Sequence, residues 1–504
     1  MKGSVLSLTV LLGLACVTIA MPRITYKSLR TQILEYEERM MLGGSLSLNH
    51  DERAANDVLM HAKRKELEHG FKDLKKFAPG WSFLSAKKDI DKSKIFHFLR
   101  RMPKGAVLHA HDTSMVSTDY IFQNITYRDN LYVCEIDGTV KLQFFEKPPN
   151  ETSCHWELLK DVRKHPDRAK NVDKKIKNGM SMVCSDPNET YPDLTKAWKK
   201  FSDIFGFMKP IVTFRPVYED HFLRALEELY EDNVMYLELR STLPTLYDFD
   251  GTKYGPKNVV GIYKNLADRF KKDHPDFVGV KLIYAPQRFV DHKRAEDYIK
   301  ILKELQELYP DFVAGFDLVG QEDNGNTLEY FADMLEKIEP TTKFFFHAGE
   351  TNWYGTSTDE NLVDAILMNT RRIGHGYALT YHPFLLEMTK RMDIAIEVNP
   401  ISNQVLKLVD DLRNHAARRL FAEGYPIVIS NDDPGFWGAR ALSYDFYEAF
   451  MALMSEHSDL RGLKQLAMNS LIYSSLNEQD TKAALLLWEK KWNHFVKDMV
   501  KERF

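Results

Sequence analysis

Eight short apolar runs, spread over most of the chain, constrain its fold more than any other feature. They are AVLHAH (106–111), VMYLELR (234–240), VGVKLIYA (278–285), VAGFDLV (313–319), KFFFHAG (343–349), RIGHG (372–376), IAIEVN (394–399) and PIVISND (426–432). Amphipathic helical stretches lie between most of them, at 219–231, 257–273, 293–308, 327–338, 359–370 and 411–424. A strand that is apolar along its whole length is buried on both faces, which is the signature of a parallel sheet covered by helices. Eight strand–helix units exceed what most open sheets hold and fit a closed ring. The expected fold is therefore α/β, a (β/α)8 TIM barrel.

The barrel does not account for the whole chain. Residues 27–78 carry apolar positions at helical spacing (Ala55, Leu59, Ala62, Leu67, Phe71, Leu74), broken at Gly43-Gly44 and ended by Pro79-Gly80. Residues 121–188 interrupt the barrel after its first strand. They hold a small β unit (LYVCEIDG, then VKLQFF) and a segment, 157–178, with eight Lys/Arg against three Asp and one Glu. A solvated helix is the plain reading of that segment, and a glycan- or receptor-binding surface is the alternative. The chain thus divides into a leader at 1–20, a helical region at 21–100, a barrel at 101–120 and 189–504 with further helices at 442–503, and the insertion at 121–188.

The leader has Lys2 followed by an apolar run to Ile19 and small residues before a cleavage point. It reads as a secretory signal peptide. The run is shorter than the roughly 20 residues needed to span a bilayer, and no other segment reaches that length. Cysteines and sequons in the rest of the chain fit that destination. Cys134, Cys154 and Cys184 suggest one disulfide and one leftover thiol in an oxidising compartment. Three sequons, at Asn124, Asn150 and Asn188, cluster among those cysteines and mark a glycosylated, surface-exposed insertion. A net charge of −4 on 504 residues gives no reason to expect nucleic acid as a partner.

In parallel barrels, chemistry sits at the C-terminal ends of the strands, and the polar residues here follow that rule. The first run ends in His109, His111 and Asp112, with the two histidines on one face because side chains alternate along a strand. The fourth ends near Asp317 and Gly320, the fifth in His347 with Glu350 beyond, the sixth in His375, and the eighth in Asp432 and Asp433. His109, His111, His347 and Asp432 form an N/O donor set suited to zinc, with room for a water. An ion there would make that water a nucleophile near neutral pH. Expelling an amine also requires a proton, which Glu350 is placed to deliver; His375 could hold or deprotonate the water. The chemistry expected is metal-assisted hydrolysis of a C–N bond.

HAHD, FFFHAGET, RIGHGYAL and VISNDDP resemble the motifs of the adenosine deaminases of the amidohydrolase superfamily. PISNQVLKLVDDLRNH (400–415), LSYDFYEAF (442–450) and LKQLAMNS (463–470) are similar to its secreted branch, the type-2 adenosine deaminases or adenosine-deaminase-related growth factors. The resemblance covers nearly all of the chain beyond the leader. It implies one Zn2+ per subunit on His109, His111, His347 and Asp432. It implies Glu350 protonating purine N1, His375 orienting the water, and Asp433 bonding the purine or positioning the nucleophile. It further implies a Gly320 N–H to the base, and Asp112 and Trp198 near the ribose. A Cys134–Cys154 disulfide would sit in a receptor-binding insertion, and the N-terminal helices would form a homodimer. Cys184 has no place in that scheme. The resemblance implies a secreted, extracellular enzyme acting on adenosine or 2′-deoxyadenosine. The alternatives are a growth factor that signals independently of catalysis, or a related amidohydrolase acting on another aminopurine. Zinc deaminases that act on cytidine or on bases in nucleic acid carry H-x-E with P-C-x-x-C, and no C-x-x-C occurs here.

Overall fold

The computed structural model describes residues 23–149 and 154–501, and each of the eight apolar runs contributes a strand. The barrel strands are β1 (Gly105–His111), β2 (Val234–Ser241), β3 (Gly279–Tyr284), β4 (Val313–Phe316), β5 (His347–Ala348), β6 (Arg372–His375), β7 (Ala395–Val398) and β8 (Ile427–Ile429). They pair in parallel as two four-stranded sheets, β1-β2-β3-β4 and β5-β6-β7-β8. Backbone hydrogen bonds join the sheets at both seams. Phe316 N–H donates to Lys343 O and Phe345 N–H to Phe316 O, each at 3.0 Å. At the other seam Asp432 N–H donates to His109 O and His111 N–H to Asp432 O, each at 3.1 Å. The ring is therefore closed, and the closing residues at the second seam include three of the candidate metal ligands.

Several elements are shorter than their sequence pattern: 359–370 is helical only over Asn361–Leu367, and 411–424 forms a 3-10 turn, Leu412–Asn414, and a short helix, Arg418–Ala422. Of KFFFHAG, only His347–Ala348 pairs as a strand; the preceding phenylalanines touch β4 through a single bridge at Phe344. The 327–338 stretch forms a 3-10 turn and a short helix, Ala332–Leu335, with the Leu328 N–H bound by the distant Asn361 side chain at 2.7 Å. The outer helices Arg215–Glu231, Pro256–Asp273 and His292–Leu308 match their pattern.

The barrel interior holds charge as well as hydrocarbon. Glu238, Arg240, Asp317, Arg372 and Glu397 are completely buried. Arg240 pairs with Asp317 and Glu397, each at 2.8 Å, and donates to Leu108 O at 2.8 Å and Phe345 O at 3.0 Å. Arg372 pairs with Glu397 and Glu238, each at 2.6 Å. Burial alone would raise the pKa of both Asp317 and Glu397. The His347 ring and Arg240 outweigh it at Asp317, and Arg240 and Arg372 outweigh it at Glu397, so both carboxylates are held well below their usual range.

The N-terminal region forms two helices, Arg23–Met40 and His50–Lys72, separated around the predicted Gly43-Gly44 break. The second starts at a capping box, with Glu52 N–H on Asn49 Oδ1 at 2.9 Å and Asn49 N–H on Glu52 Oε2 at 2.8 Å. It packs against the last helix, Glu478–Lys501, where Trp492 Nε1–H donates to Glu52 at 2.8 Å. In the insertion, Leu131–Ile136 pairs antiparallel with Thr139–Phe144, and Cys134 is bonded to Cys154. The basic segment folds chiefly as Pro166–Met180. That helix buries Val172, Ile176 and Met180 and leaves most of its charged residues on the solvent side. The leader at 1–20 and the sequon residue Asn150 lie outside the described residues. Asn124 and Asn188 are exposed, and Cys184 is a half-buried free thiol beside Tyr191. Among the described residues, no helix is long and apolar enough to cross a membrane.

Candidate active site

The strand ends bring the candidate residues together at the mouth of the barrel. His109 and His111 leave β1 on one face, His347 comes from β5, and Asp432 follows β8. One donor atom from each lies within 4.8 Å of the others. The rings stand mostly at steep angles, His109 to His347 with centroids 4.5 Å apart and His109 to His111 5.3 Å apart. Asp432 Oδ1 is 3.0 Å from His111 Nε2 and 3.3 Å from His109 Nε2. Glu350, His375 and Asp432 form a second, overlapping group. His375 Nε2 is 3.8 Å from Asp432 Oδ2, and its Nδ1 is 3.5 Å from Glu350 Oε1.

The backbone is bent to make this constellation. Asp432 has φ +56° and His375 has φ +61°, both in the left-handed region where a side chain is disfavoured. Backbone strain of this kind, about 1–3 kcal/mol per residue, is retained where the surrounding fold dictates it, commonly at functional sites. Close approach also dictates a glycine. A Cβ on Gly374 would lie 3.2 Å from both His109 Cε1 and the His347 backbone, so a side chain there would push two of the candidate ligands apart.

The donor chemistry fits a divalent ion. His109 Nδ1 faces Glu397 Oε2 at 2.7 Å, and His347 Nδ1 faces Asp317 Oδ2 at 2.6 Å. Each carboxylate draws the ring proton to Nδ1 and leaves the Nε2 lone pair aimed into the site. His109 Nε2 and Asp432 Oδ1 are then buried with no hydrogen-bond partner. Orphaned donors of this kind are costly unless an ion uses them.

Glu350 is held by its backbone. Glu322 accepts the Glu350 N–H at 2.9 Å, the Gly349 N–H at 3.1 Å and the Asn361 amide at 2.8 Å. Burial, with the carboxylates of Asp432 and Glu322 nearby, pushes the Glu350 carboxyl well above its ordinary pKa. That is the direction a proton donor requires.

The four remaining sequence candidates differ in how far they approach this cluster. Asp433 is buried beside Asp432 and accepts the Ser114 hydroxyl. Gly320 has φ +107°, and its Cβ would sit 2.5 Å from the Phe289 ring. Among the described residues its N–H meets no carbonyl. Asp112 is buried with one oxygen receiving three hydroxyls, from Ser241, Tyr263 at 2.8 Å and Tyr218 at 3.2 Å. Trp198 lies on the helix Leu194–Val212, edge-on to Phe201, which in turn stacks on Trp437 just past Asp433.

Sequence reasoning missed Glu397, Arg240, Glu322 and Asn403. The first two had a readable signal, a charge inside an otherwise apolar strand (IAIEVN, VMYLELR). Such a charge must find a buried partner. Glu322 and Asn403 sit in loops and short helices and had none.

A family model described as "Adenosine deaminase" matches residues 173–488, more than half of the chain, and one described as "Adenosine/AMP deaminase N-terminal" matches residues 7–99. The chain belongs to the adenosine deaminase family. This family member is 45% identical to the adenosine deaminase of Phlebotomus duboscqi over 96% of its own length and 94% of that protein's. It is 43% identical to adenosine deaminase 2 of Sus scrofa, covering 94% of each chain. Among solved structures, an Arabidopsis N6-mAMP deaminase superposes with a TM-score of 0.54 at 17% identity, covering 78% of this chain and 99% of that one. That likeness is one of fold, and it agrees with the barrel described above. The protein is a hydrolytic deaminase of a metal-dependent family, with a His/Asp donor group in place.

Proposed function

We propose that this chain is a secreted zinc enzyme that hydrolyses adenosine and 2′-deoxyadenosine to inosine and 2′-deoxyinosine with release of ammonia. The observation that carries the reading is the overlap of the four-donor cluster with Glu350 and His375 at one barrel mouth. His109, His111, His347 and Asp432 would hold one zinc ion per subunit, which would supply the Lewis acidity that activates a water near neutral pH. Glu350 gives a proton to purine N1 as the nucleophile reaches C6, which turns the ring nitrogen into an electron sink. His375 orients the nucleophile beside Asp432. Asp433 bonds the purine or positions the nucleophile, and the Gly320 N–H donates to the base. Asp112 and Trp198 border the ribose. Following the ultraviolet change of adenosine tests the reading. We expect turnover that a zinc chelator abolishes and added zinc restores; folded, metal-loaded protein with no chelator-sensitive deamination would sink it.

Three further assignments go with this reading. The helix Arg23–Met40 leaves Ile33, Leu34, Tyr36 and Met40 between 42% and 66% exposed, an apolar face suited to a second copy of the chain. Residues 21–100 then act as a dimerisation region. The insertion at 121–188 presents the charged face of Pro166–Met180, which suits a cell-surface receptor or an acidic glycan. Residues 1–20 direct secretion, and Asn124, Asn150 and Asn188 carry glycans. One preparation tests secretion, glycosylation and dimerisation. Protein recovered from the medium of expressing eukaryotic cells should sediment as a dimer, start after the leader, and lose mass on enzymatic removal of glycans. A monomer, or protein retained in the cells, would refute the corresponding assignment.

A further inference from the structure

The segment PISNQVLKLVDDLRNH has a use that the proposed function does not by itself require. Its Asn403, on the short helix Pro400–Val405, and its His415 are both buried. They form a chain of hydrogen bonds to His375 in which the direction of every bond is determined. The Ala417 backbone N–H, which can only donate, points at His415 Nδ1 at 3.0 Å. Nδ1 of His415 is therefore unprotonated. Burial holds this ring neutral by lowering its pKa to about 3, so its proton is on Nε2. That nitrogen is 3.0 Å from Asn403 Oδ1 and donates to it. The amide orientation is thereby set, and Asn403 Nδ2–H donates to His375 Nδ1 at 3.0 Å. The Glu350 carboxyl stands farther from the same nitrogen, at 3.5 Å.

We propose that Asn403 and His415 are positioning residues that hold His375 in its Nε2–H tautomer, so that His375 presents a hydrogen-bond donor, not a base, to the nucleophile beside Asp432. The inference rests on the role of His375 given above and deepens it. A ring with its Nδ1 lone pair occupied has only its Nε2–H edge to turn toward Asp432. It can orient an oxygen by donating to it, but in this tautomer it cannot take that oxygen's proton. The proton of the attacking water must then leave by another route; Glu350, once it has given its own proton to purine N1, is a carboxylate that can receive it.

Nitrogen-15 NMR of histidine-labelled, metal-loaded, full-length protein tests this directly, with the His375 signals assigned by their loss in His375→Ala. The wild type should show His375 neutral with its proton on Nε2; a proton on Nδ1, shared with Glu350, would overturn the proposal without any variant. Asn403→Asp keeps the shape but offers only acceptors, so His375 should move its proton to Nδ1. In other active sites, imposing the wrong histidine tautomer costs up to ~10⁴ in rate. Here we expect kcat to fall roughly 10²–10³-fold with KM within threefold, a split that general loosening of the fold would not produce. An Asn403→Asp enzyme that keeps both the Nε2–H spectrum and its kcat would overturn the proposal. If His375→Ala kept full kcat, the role of His375 in the proposed function would fail, whereas the tautomer and its control by Asn403 would still be decided by the spectra.

Discussion

Replacing Glu350 by Gln should cut kcat by about 10³–10⁴-fold while leaving metal content and substrate KM nearly unchanged. The size follows from general acid catalysis, which contributes about 10²–10⁴-fold in enzymes where a positioned group supplies the proton. The upper end is expected because the leaving amine depends on protonation of the ring. Selectivity for kcat follows from the structure. Glu322 grips the Glu350 and Gly349 backbone N–H groups, so the main chain remains in place whatever the side chain carries. Gln matches Glu in size and accepts similar hydrogen bonds, yet has no acidic proton to give. Glu350 is also outside the four-donor cluster, so stoichiometric metal in the variant separates a catalytic defect from a lost site. Metal analysis and steady-state kinetics on the same sample check both halves. A variant within tenfold of wild type would remove Glu350 from the proton-donor role. The same protein addresses the second reading of the chain: growth-promoting activity that persists in the variant would be independent of adenosine removal, and activity that vanishes would be tied to it.

Replacing Arg240 by Leu should cost about 3–5 kcal/mol of stability, the usual cost of stranding a buried charge. Arg240 is fully buried and bridges Asp317 and Glu397, and these two carboxylates hold the Nδ1 edges of His347 and His109. Leu matches much of the volume but leaves Asp317, among the described residues, with no ion-pair partner beyond the neutral His347 ring it orients. Glu397 keeps Arg372 at 2.6 Å and is the less affected of the pair. Two measurements should therefore move together: the denaturant midpoint falls, and metal affinity drops by roughly 10–100-fold, as is common when groups orienting metal ligands are removed. A variant with wild-type midpoint and metal affinity would show that the interior charges are dispensable.

The legible and illegible parts of this molecule divide along a physical line. The strand runs could be read because a parallel barrel buries both faces, and Val234–Ser241 is accordingly buried at every position. His109, His111, His347, His375 and Asp432 could be read because strand ends in such a barrel share one mouth. What could not be read were interactions defined only by ring closure. Glu397 meets His109 across 288 positions of sequence, and Arg240 meets Glu397 across 157. Nothing local announces such pairs except an odd charge in an apolar run. Asn403 was harder still, since an asparagine after Pro-Ile-Ser is ordinary helix-start chemistry until His375 and His415 are seen on either side of it. The shortened strand at His347–Ala348 and the broken 327–338 helix likewise owe their form to long-range contacts, at Phe344 and Asn361, that override local pattern.

The seam between β8 and β1 ties folding to chemistry. Asp432 exchanges backbone hydrogen bonds with His109 and His111 at the point where its side chain meets theirs. The bond that shuts the ring and the geometry that completes the donor set are one event. Until the end of the eighth strand docks on the first, Asp432 is not beside the histidines of β1, so a partly formed barrel lacks the native four-donor arrangement. Bringing residues 109 and 432 together is also the most expensive loop closure in the barrel, because that cost grows with the length of chain enclosed. An ion held by donors from both sides of the seam would act as a clasp on that closure. A chain that has not completed the ring lacks the full donor set, which would confine hydrolysis to molecules that have closed the barrel.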